Sequence, residues 1–405
     1  MAYFSNSIEP SRTQSKKKFY QKKWFKITLS LIVVFAIVSG VFAWKTGGVI
    51  HKISQGGILS SLVKSLPGVD NSVKGEKDGR INIVLLGMRG AGVVGGGTLA
   101  DSIIVASIKP RENKVSMISV PRDLYTRNPG WGNQTKINAV YAAGEENGKK
   151  EGMEDMKTVL GEVTGLPIHY AVTIDFAGFK QLIDAIGGIE ITLDAPFDES
   201  MQFNEAHVCD SFFNVPTGKF EEKKKNVYWP GTTTVKRVRI IQTHPLCTAP
   251  PETLECGGEF KLPAGKQTLS GDKALCYARS RHTSSDFERA KRQQIILQLV
   301  KDKLVSAGTI TNFDKMNGIL NSLGDNVRTD MQPWEMKRLY DLYVGMKDSA
   351  LYQRVLENSD EGLLYHPEDG VAGYILLPIG DNYNRIHEMA QNIFTLQAQS
   401  DIKPR

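Results

Sequence analysis

Residues 279–294 bring together many side chains that could do chemistry, in the sequence RSRHTSSDFERAKRQQ. The run holds five lysine or arginine side chains, two carboxylates and two glutamines. Ser285 followed three residues later by Glu288 is a capping box, which predicts that a helix begins at Asp286. Counted from Arg289, the positions i, i+3, i+4 and i+7 lie on one side of that helix. These residues are Arg289, Arg292, Gln293 and Ile296.

Arginines in the first turns of a helix face the positive end of its dipole, which is unfavourable unless an anion binds nearby. Upstream, Arg279 and Arg281 alternate in a strand-like phase, which predicts that both point to one face. Two groups of arginines are therefore expected to converge across a short loop, as an anion site requires. The alternative is a solvated charged face, which such a run more often indicates when taken by itself.

A further candidate follows a predicted strand. Arg122 and Asp123 follow the apolar run KVSMISV, residues 114–120, after the single residue Pro121. Ligands of open sheets bind at strand ends, so Arg122 is a candidate ligand-binding residue. The alternative is a salt bridge between Arg122 and a neighbouring carboxylate at the end of the strand.

The loop RGAGVVGGG, residues 89–97, resembles a nucleotide-binding motif, since Gly90, Gly92 and Gly95 satisfy G-x-G-x-x-G. That fingerprint requires a helix to open at once, so that its N-terminus meets the pyrophosphate. Here the β-branched stretch DSIIVASI, residues 101–108, predicts a strand instead, and no P-loop lysine follows. We therefore interpret the loop as a flexible segment at the mouth of a site.

Apolar patterning predicts the elements that must position these residues. Strands are expected at 81–87, 101–108, 114–120 and in GGIEITL; helices are expected at 151–163, 176–186, from about 286, at 332–346 and at 384–396. Strands and helices that do not strictly alternate predict an α/β (α+β) fold. We expect a mixed central sheet flanked by helices in one domain.

The N-terminal residues predict a membrane anchor. Residues 1–26 form a basic tail, and the uncharged apolar stretch 27–44 is long enough for one transmembrane helix. The excess of lysine before this stretch places the tail in the cytoplasm and all later residues outside the membrane. The alternative, a cleaved signal peptide, is disfavoured because no clean cleavage site follows. Residues 45–78 are interpreted as a linker and 79–396 as the folded domain.

The net charge of +6 resides largely in the basic tail, so the body is close to neutral and nucleic-acid binding is disfavoured.

Within an inserted stretch, 200–260, lie three cysteines: Cys209, Cys247 and Cys256. An extracytoplasmic location permits disulfides, and three clustered cysteines predict one bridge with one thiol left over. Cys276 stands apart in an apolar run. A zinc site is the alternative, disfavoured because no C-x-x-C pair is present.

Several motifs occur in the order seen in a known family. They are IVLLG, DSIIV, SVPRD, KINAVY, the segment GFKQLIDAIGGIEI, and PAGKQTLSGDKALCYARSRHTSSDFERAKRQQ. Together they resemble the LytR-CpsA-Psr family from about residue 81 to at least residue 304. The resemblance implies a membrane-anchored enzyme that moves a glycan phosphate from a polyprenyl-pyrophosphate carrier to a hydroxyl of peptidoglycan. Its partners would be the lipid-linked glycan, peptidoglycan and the membrane.

The resemblance also implies residue roles. The residues that would clamp the pyrophosphate and carry the reaction are Arg122, Arg281, Arg289 and Gln293, with Asp286 positioning arginines or acting as base. Further substrate contacts would come from Arg279, Lys136, Asn138, Arg89 and Arg292. Asp101 matches an aspartate that helps to hold Mg²⁺ against the pyrophosphate, which fits a metal that uses one or two carboxylates and fills the rest with water and phosphate oxygen.

Two departures from the family pattern affect this expectation. Met88 and Arg89 stand where many members have an aspartate, and Leu99 and Ala100 replace the usual Arg-Ser before Asp101. Arg89 is a candidate to replace the lost arginine. The departures favour an alternative in which the chain binds the lipid or the wall without catalysis. A pyrophosphatase on the same lipid is a further alternative.

The lysine-rich part of the inserted stretch 200–260 either contacts glycan or is a surface loop held by a disulfide.

Overall fold

The computed structural model describes most of the chain after residue 69. The described residues are 70–90, 97–199, 206–230, 235–250, 255–258, 260–280, 285–306, 319, 322–346, 349–359, 361–367 and 373–396. No helix within these ranges is long and apolar enough to cross a bilayer. The predicted span at 27–44 lies outside them, as does Arg281.

The elements are numbered in chain order. The strands are β1 Ile81–Met88, β2 Ala100–Lys109, β3 Lys114–Ser119, β4 Tyr125–Arg127, β5 Gln134–Lys136, β6 Tyr170–Asp175, β7 Ile189–Leu193, β8 Phe197–Asp198, β9 His207–Val208, β10 Val215–Tyr228, β11 Val235–Thr248, β12 Lys261–Leu262, β13 Gly265–Leu269, β14 Val327–Thr329, β15 Ala350–Val355, β16 Glu357–Asn358, β17 Leu363–Tyr365 and β18 Leu377–Pro378. The helices are α1 Ala139–Glu145, α2 Gly152–Thr164, α3 Phe176–Ala185, α4 Gly271–Arg279, α5 Asp286–Ser306, α6 Pro333–Gly345 and α7 Asn384–Gln391.

A six-stranded sheet with the order β14-β6-β1-β2-β3-β15 forms the centre. The neighbours β1–β2, β2–β3 and β6–β14 are antiparallel, whereas β1–β6 and β3–β15 are parallel. The sheet is therefore mixed, as predicted. Since β2 runs against β1 and β3, the beginning of β2 lies beside the ends of β1 and β3. We call this the site end of the sheet.

Both faces of the sheet are covered, which explains why β1 is apolar at nearly every position. On one face Val84 and Leu86 pack into a core with Leu160 of α2 and Ile386 of α7. On the other face Ile81 joins a core that includes Tyr170 and Met331 and that half-buried side chains of α6 pack against. Alternate residues of one strand thus serve two cores, as expected for a buried strand.

The predicted helices are present with small shifts in their bounds. Ile183 of α3 and Ile295 and Ile296 of α5 are buried, as ordinary core residues are. The prediction for the residues before Arg281 was wrong. Residues 271–279 form helix α4 and not a strand, because Ser270 caps the helix and its apolar residues Ala274, Leu275 and Ala278 bury one side.

The cysteine prediction was correct for one bridge within the cluster and wrong for the thiol left over. Two disulfides form, Cys209–Cys247 and Cys256–Cys276, so none of the four cysteines is free. The apolar run around Cys276 is one side of α4, which brings its thiol to the returning end of the insertion. Sequence separation did not reveal this contact. Within the insertion, β10 and β11 form a long antiparallel hairpin.

Candidate active site

A pocket opens at the site end of the sheet, where helix α5 begins. Its lining comes from the start of β2, the end of β3, the first two turns of α5 and the end of β15; the residues are Asp101, Ser102, Ile103, Ser119, Val120, Pro121, Arg122, Asp286, Phe287, Arg289, Ala290, Gln293 and Val355. Five residues predicted from sequence therefore share one pocket: Asp101, Arg122, Asp286, Arg289 and Gln293.

Arg122 lies at the centre of the charged groups. Its Nη1 donates to Asp101 Oδ1 at 2.9 Å, and its Nε lies 3.6 Å from Asp123 Oδ2 and 3.7 Å from Asp286 Oδ2. The salt bridge expected as the alternative role of Arg122 is thus present, but inside a pocket. Nε is buried and has no hydrogen-bond acceptor among the described residues. The carboxylates of Asp123 and Asp286 lie just beyond hydrogen-bond distance, so Arg122 is held by ion pairs at Nε and by a hydrogen bond at Nη1.

The charge of Arg122 is stabilised by its neighbours. Burial acts to lower its pKa, but the hydrogen bond to Asp101 and the attraction of Asp101, Asp286 and Asp123 together raise the pKa above the ordinary value. Arg122 is therefore a permanent cation that is already oriented before a ligand arrives. Such fixed charges cost little reorganisation when negative charge develops beside them.

Helix α5 contributes the other wall. Ser285 Oγ accepts the backbone N–H of Glu288 at 3.2 Å, so the predicted cap is present, while the Glu288 carboxylate accepts from Lys291. One turn into the helix, Arg289 Nη1 lies 3.3 Å from Asp286 Oδ1. This pair keeps the guanidinium of Arg289 beside the pocket, near the N-terminal end of α5.

Gln293 connects the helix to the sheet. Its Oε1 accepts from Ser102 Oγ at 2.8 Å, and its Nε2 donates to the carbonyl of Ala278 at 3.4 Å. The side chain thereby links β2, α4 and α5 across the floor of the pocket. Ser102 was not singled out from the sequence, although it directly follows Asp101.

Arg279, the last residue of α4, belongs to the same cluster. Its guanidinium lies over the ring of Phe176 at 4.6 Å. Burial and, to a smaller extent, the nearby charges of Arg89 and Arg289 together lower the pKa of Arg279 to about 10, against the attraction of Asp101. A cation whose pKa is depressed by other cations marks a region with excess positive charge.

Arg89 follows the end of β1, with its Nε 3.8 Å from Asp101 Oδ2. The next residue, Gly90, has a φ of +124° and donates its backbone N–H to Gly97 at 2.9 Å, which closes the glycine-rich loop. Residues 91–96, with Gly92 and Gly95, lie outside the described residues. Arg89 therefore contacts Asp101. Leu99 and Ala100 precede Asp101, where the family motifs led us to expect an arginine and a serine.

The remaining predicted residues lie near the pocket or behind it. Lys136 Nζ is 2.6 Å from Asp123 Oδ1, beside Arg122. The backbone N–H of Asn138 donates to the carbonyl of Arg122, and its carbonyl accepts from Ala100, so Asn138 links the start of β2 to the residues that follow β3.

Arg292 does not join the arginine cluster. It is buried, donates to the carbonyl of Ser280, and lies over the rings of Phe197 and Tyr277. Its place on the arginine stripe was correct, but its predicted substrate contact has no support in this geometry.

Two aromatic residues beside the site were missed from the sequence. Tyr374 is half-exposed, and its ring centroid lies 4.5 Å from that of His366. Burial raises the pKa of Tyr374, and the carboxylates of Asp123 and Asp286 raise it further, so its phenol lies within their electrostatic reach. No sequence motif pointed to Tyr374, which comes from a segment far from the other site residues.

The carboxylates limit how a metal could bind. Among the described residues no group of three or more His, Cys, Asp or Glu side chains has metal-binding geometry. Asp101 faces the pocket but already contacts Arg122 and Arg89. The donor set therefore fits only a hard divalent cation that takes one protein carboxylate and draws its other oxygens from water and a bound phosphate.

A family model described as the LytR_cpsA_psr family matches residues 60–369. The chain belongs to this family. The match covers most of the folded domain and confirms the resemblance found from the motifs.

Named relatives and solved structures agree with this membership. The chain is 27% identical over 384 residues to TagV of Bacillus subtilis (strain 168), a polyisoprenyl-teichoic acid–peptidoglycan teichoic acid transferase, covering 94% of this chain and 79% of TagV. It is 26% identical over 275 residues to a TagU of the same description from Enterococcus faecalis, covering 64% of this chain and 68% of TagU. The crystal structure of B. subtilis TagV matches with a TM-score of 0.51 at 22% identity, covering 78% of this chain and 98% of the other. That likeness supports the mixed α/β fold.

Proposed function

We propose that this protein is a membrane-anchored phosphotransferase that moves a glycan phosphate from a polyprenyl-pyrophosphate carrier to a hydroxyl of peptidoglycan. The observation that carries the proposal is the excess of arginine at one pocket. Four arginines, Arg89, Arg122, Arg279 and Arg289, lie beside the carboxylates of Asp101, Asp123 and Asp286. The names of the relatives TagV and TagU describe the same class of transfer.

The pyrophosphate would lie between β2, the end of β3 and the start of α5. Arginine forks match the paired oxygens of phosphate, and Arg122 and Arg289 approach the pocket from opposite walls. Phosphoryl transfer depends mainly on positioning and on neutralising charge, which is what a fixed arginine cluster supplies. We infer that Arg279 and Arg89 complete the clamp, with Arg89 replacing the arginine missing before Asp101.

In the proposed reaction, the acceptor hydroxyl oxygen forms a bond to the phosphorus that carries the glycan. The bond from that phosphorus to the bridging oxygen breaks, and the carrier leaves as polyprenyl phosphate. The hydroxyl proton passes to a carboxylate, for which Asp286 is the candidate because it lines the pocket and is half-exposed. We propose that Asp101 is the one protein ligand of a Mg²⁺ ion, which would neutralise pyrophosphate charge when bound.

We further propose that residues 27–44 anchor the chain, with residues 1–26 in the cytoplasm and the folded domain outside. This topology is supported by the uncharged apolar stretch that follows a basic tail. It also fits the two disulfides of the folded domain, since disulfides persist in oxidising compartments.

The test is incubation of the full chain in detergent with a polyprenyl-pyrophosphate disaccharide labelled in the sugar, Mg²⁺ and peptidoglycan oligosaccharides. We expect labelled sugar phosphate on the peptidoglycan fragment. Arg127→Lys, a substitution at an exposed position of β4 outside the pocket, should transfer at the normal rate. Donor that binds but stays intact would overturn the proposal in favour of a binding protein. Release of free labelled sugar phosphate would instead show a hydrolase.

A further inference from the structure

The hairpin of β10 and β11 is an arm whose two strands pair chiefly with each other. Each strand has 14 residues, and among the described strands only β9 adds to β11, at Leu246 and Cys247. At about 3.3 Å per residue, the paired strands extend roughly 45 Å. An isolated two-stranded hairpin is at best marginally stable in water, so a long one needs fixing at its base or cover along its length.

The base of the arm is fixed covalently. Cys247 near the end of β11 is bonded to Cys209, which directly follows β9. Cys256, shortly after the arm returns, is bonded to Cys276 of α4. Helix α4 ends at Arg279, a member of the arginine cluster. The arm is therefore attached to an element of the proposed active site and not to a remote part of the domain.

The surface of the arm combines large apolar side chains with solvent exposure. Phe220 is 62% exposed, Ile240 48%, Ile241 50% and Trp229, next to the hairpin turn, 49%. Single exposed apolar residues are common on proteins, but several on one slender element mark an interaction surface. Trp229 also holds the ammonium of Lys236 at 4.2 Å from its ring, so an aromatic and a cation share the region near the turn.

The same arm is strongly basic. Residues 215–248 contain the acids Glu221 and Glu222 against a larger set of bases, namely Lys219, Lys223, Lys224, Lys225, Lys236, Arg237 and Arg239. Lys224 pairs with Glu222 at 3.3 Å. Lysines on unpaired strands commonly prevent edge-to-edge aggregation. That role accounts for the lysines, but not for the exposed phenylalanine, isoleucines and tryptophan beside them.

We infer that the β10–β11 arm docks on the surface of an anionic lipid bilayer. Basic side chains are attracted to anionic headgroups, aromatic rings prefer the interface, and bulky aliphatic side chains gain by entering the acyl boundary. A hydrated polyol-phosphate polymer would match the charge of the arm but offers little apolar surface to cover Phe220, Ile240 and Ile241. The bilayer is the partner that matches both properties.

Docking would give the arm a role in the proposed reaction. The donor is held in the bilayer by its polyprenyl chain, and the Cys256–Cys276 bond joins the arm's return to α4. An arm resting on the membrane would hold the arginine cluster near the headgroup layer where the pyrophosphate resides. This role depends on the proposed function, whereas docking itself does not.

Hydrogen–deuterium exchange of the full chain in nanodiscs tests the docking without measuring transfer. We expect amides within 219–228 and 236–242 to exchange about tenfold more slowly in phosphatidylglycerol discs than in phosphatidylcholine discs. The comparison uses the unaltered protein, so it does not depend on the folding of any variant. Lys223→Glu combined with Lys224→Glu should remove the difference between the lipids. Lys149→Glu with Lys150→Glu, exposed lysines at the α1–α2 connection, should leave it intact.

Equal exchange of the arm in both lipids and in detergent would overturn the inference. Protection that arises only when soluble poly(glycerol phosphate) is added would assign the arm to an anionic polymer instead. Protection that appears only in discs holding two copies of the chain would assign it to self-association. Each of these results is separate from the outcome of the transfer assay.

Discussion

The two ends of the central sheet hold half-buried arginines in different ways. At the end where β1 begins, Arg80 donates to Asn82, to Ser107 at 3.0 Å and to the carbonyl of Ala390 at 2.9 Å. At the site end, Arg122 has a buried Nε without an acceptor in the described part of the chain, and Arg279 lies among other arginines. We call the first end matched, because the hydrogen bonds of Arg80 go to neutral acceptors, whereas at the site end several arginines share the carboxylates of Asp101, Asp123 and Asp286.

The pKa shifts describe the same difference. Burial alone lowers the pKa of Arg80 to about 10, whereas the pKa of Arg279, also about 10, is lowered by burial and then by Arg89 and Arg289. The matched end also contains the pairs Lys157–Asp330 at 2.6 Å and Tyr170–Glu335 at 2.7 Å. Similar pKa values thus arise from different causes. The cause, and not the value, distinguishes Arg80, whose pKa only burial lowers, from Arg279, which lies beside other cations where we propose that an anion binds.

The largest effect is expected for Arg122→Lys, which should lower the transfer rate about 100-fold, since removal of one preorganised donor to a developing charge has effects of this size. The lysine keeps a charge among Asp101, Asp123 and Asp286, so the fold should persist, but it loses the bidentate fork. The measurement is the initial rate with labelled donor, beside Arg127→Lys. A rate within threefold of normal would contradict the role given to Arg122.

Arg80→Ala should act on stability instead. We expect the free energy of unfolding to fall by about 2 kcal/mol, because hydrogen bonds to Asn82, Ser107 and Ala390 are lost. Denaturant titration followed by circular dichroism measures it, with the exposed Arg111→Ala as control. Pyrophosphate affinity should stay unchanged. A lowered affinity with normal stability would reverse the assignment of the two ends.

Arg279→Met should weaken binding of inorganic pyrophosphate about tenfold, equal to about 1.4 kcal/mol. The methionine keeps an apolar stem over Phe176 and removes a cation repelled by Arg89 and Arg289, so stability should stay equal or rise. Isothermal titration calorimetry and thermal melting give the two quantities. Lost stability with unchanged affinity would place Arg279 among the matched arginines.

The smallest effect concerns pH at the matched end. His169 Nδ1 accepts the backbone N–H of Asn82 at 2.9 Å, and burial lowers the pKa of His169. The unfolded chain therefore binds the proton more readily. The contribution of His169 to stability should be present above about pH 6.5 and be lost as pH falls through the lowered pKa, with a slope of at most about 1.4 kcal/mol per pH unit.

His169→Asn should flatten this part of the stability profile, measured by denaturant titration between pH 7.5 and 5.5. A slope in that range that is the same in the variant would show that another group is responsible. The arginines of the site end stay charged throughout the range, so their cluster should contribute no such slope.

Local patterns predicted much of the fold and the site. A continuous apolar run predicted β1, the Ser285 cap predicted the start of α5, and the spacing from it placed Arg289 and Gln293 on one wall. These features depend on residues close together in sequence, where backbone periodicity and capping act. The family motifs added Asp101 and Arg122 as members of the same site.

The outcomes that sequence did not predict depend on contacts between distant segments. Helix α4, and not a strand, carries Arg279, because burial against the rest of the domain favours the helix. The thiol of Cys276 meets Cys256 only once that helix is placed. Arg292 turns inward although it shares a stripe with Arg289, and Tyr374 reaches the site from a distant segment.

The sequence by itself determined which side chains are available at the ends of β1, β2, β3 and at the start of α5, because those positions follow from local periodicity. Only the tertiary structure decided that Arg89, Arg122, Arg279 and Arg289 lie beside the carboxylates of Asp101, Asp123 and Asp286 while Arg80 donates to neutral acceptors. Whether a buried charge is satisfied depends on partners that folding brings from elsewhere in the chain, and that information is not contained in any short stretch of sequence.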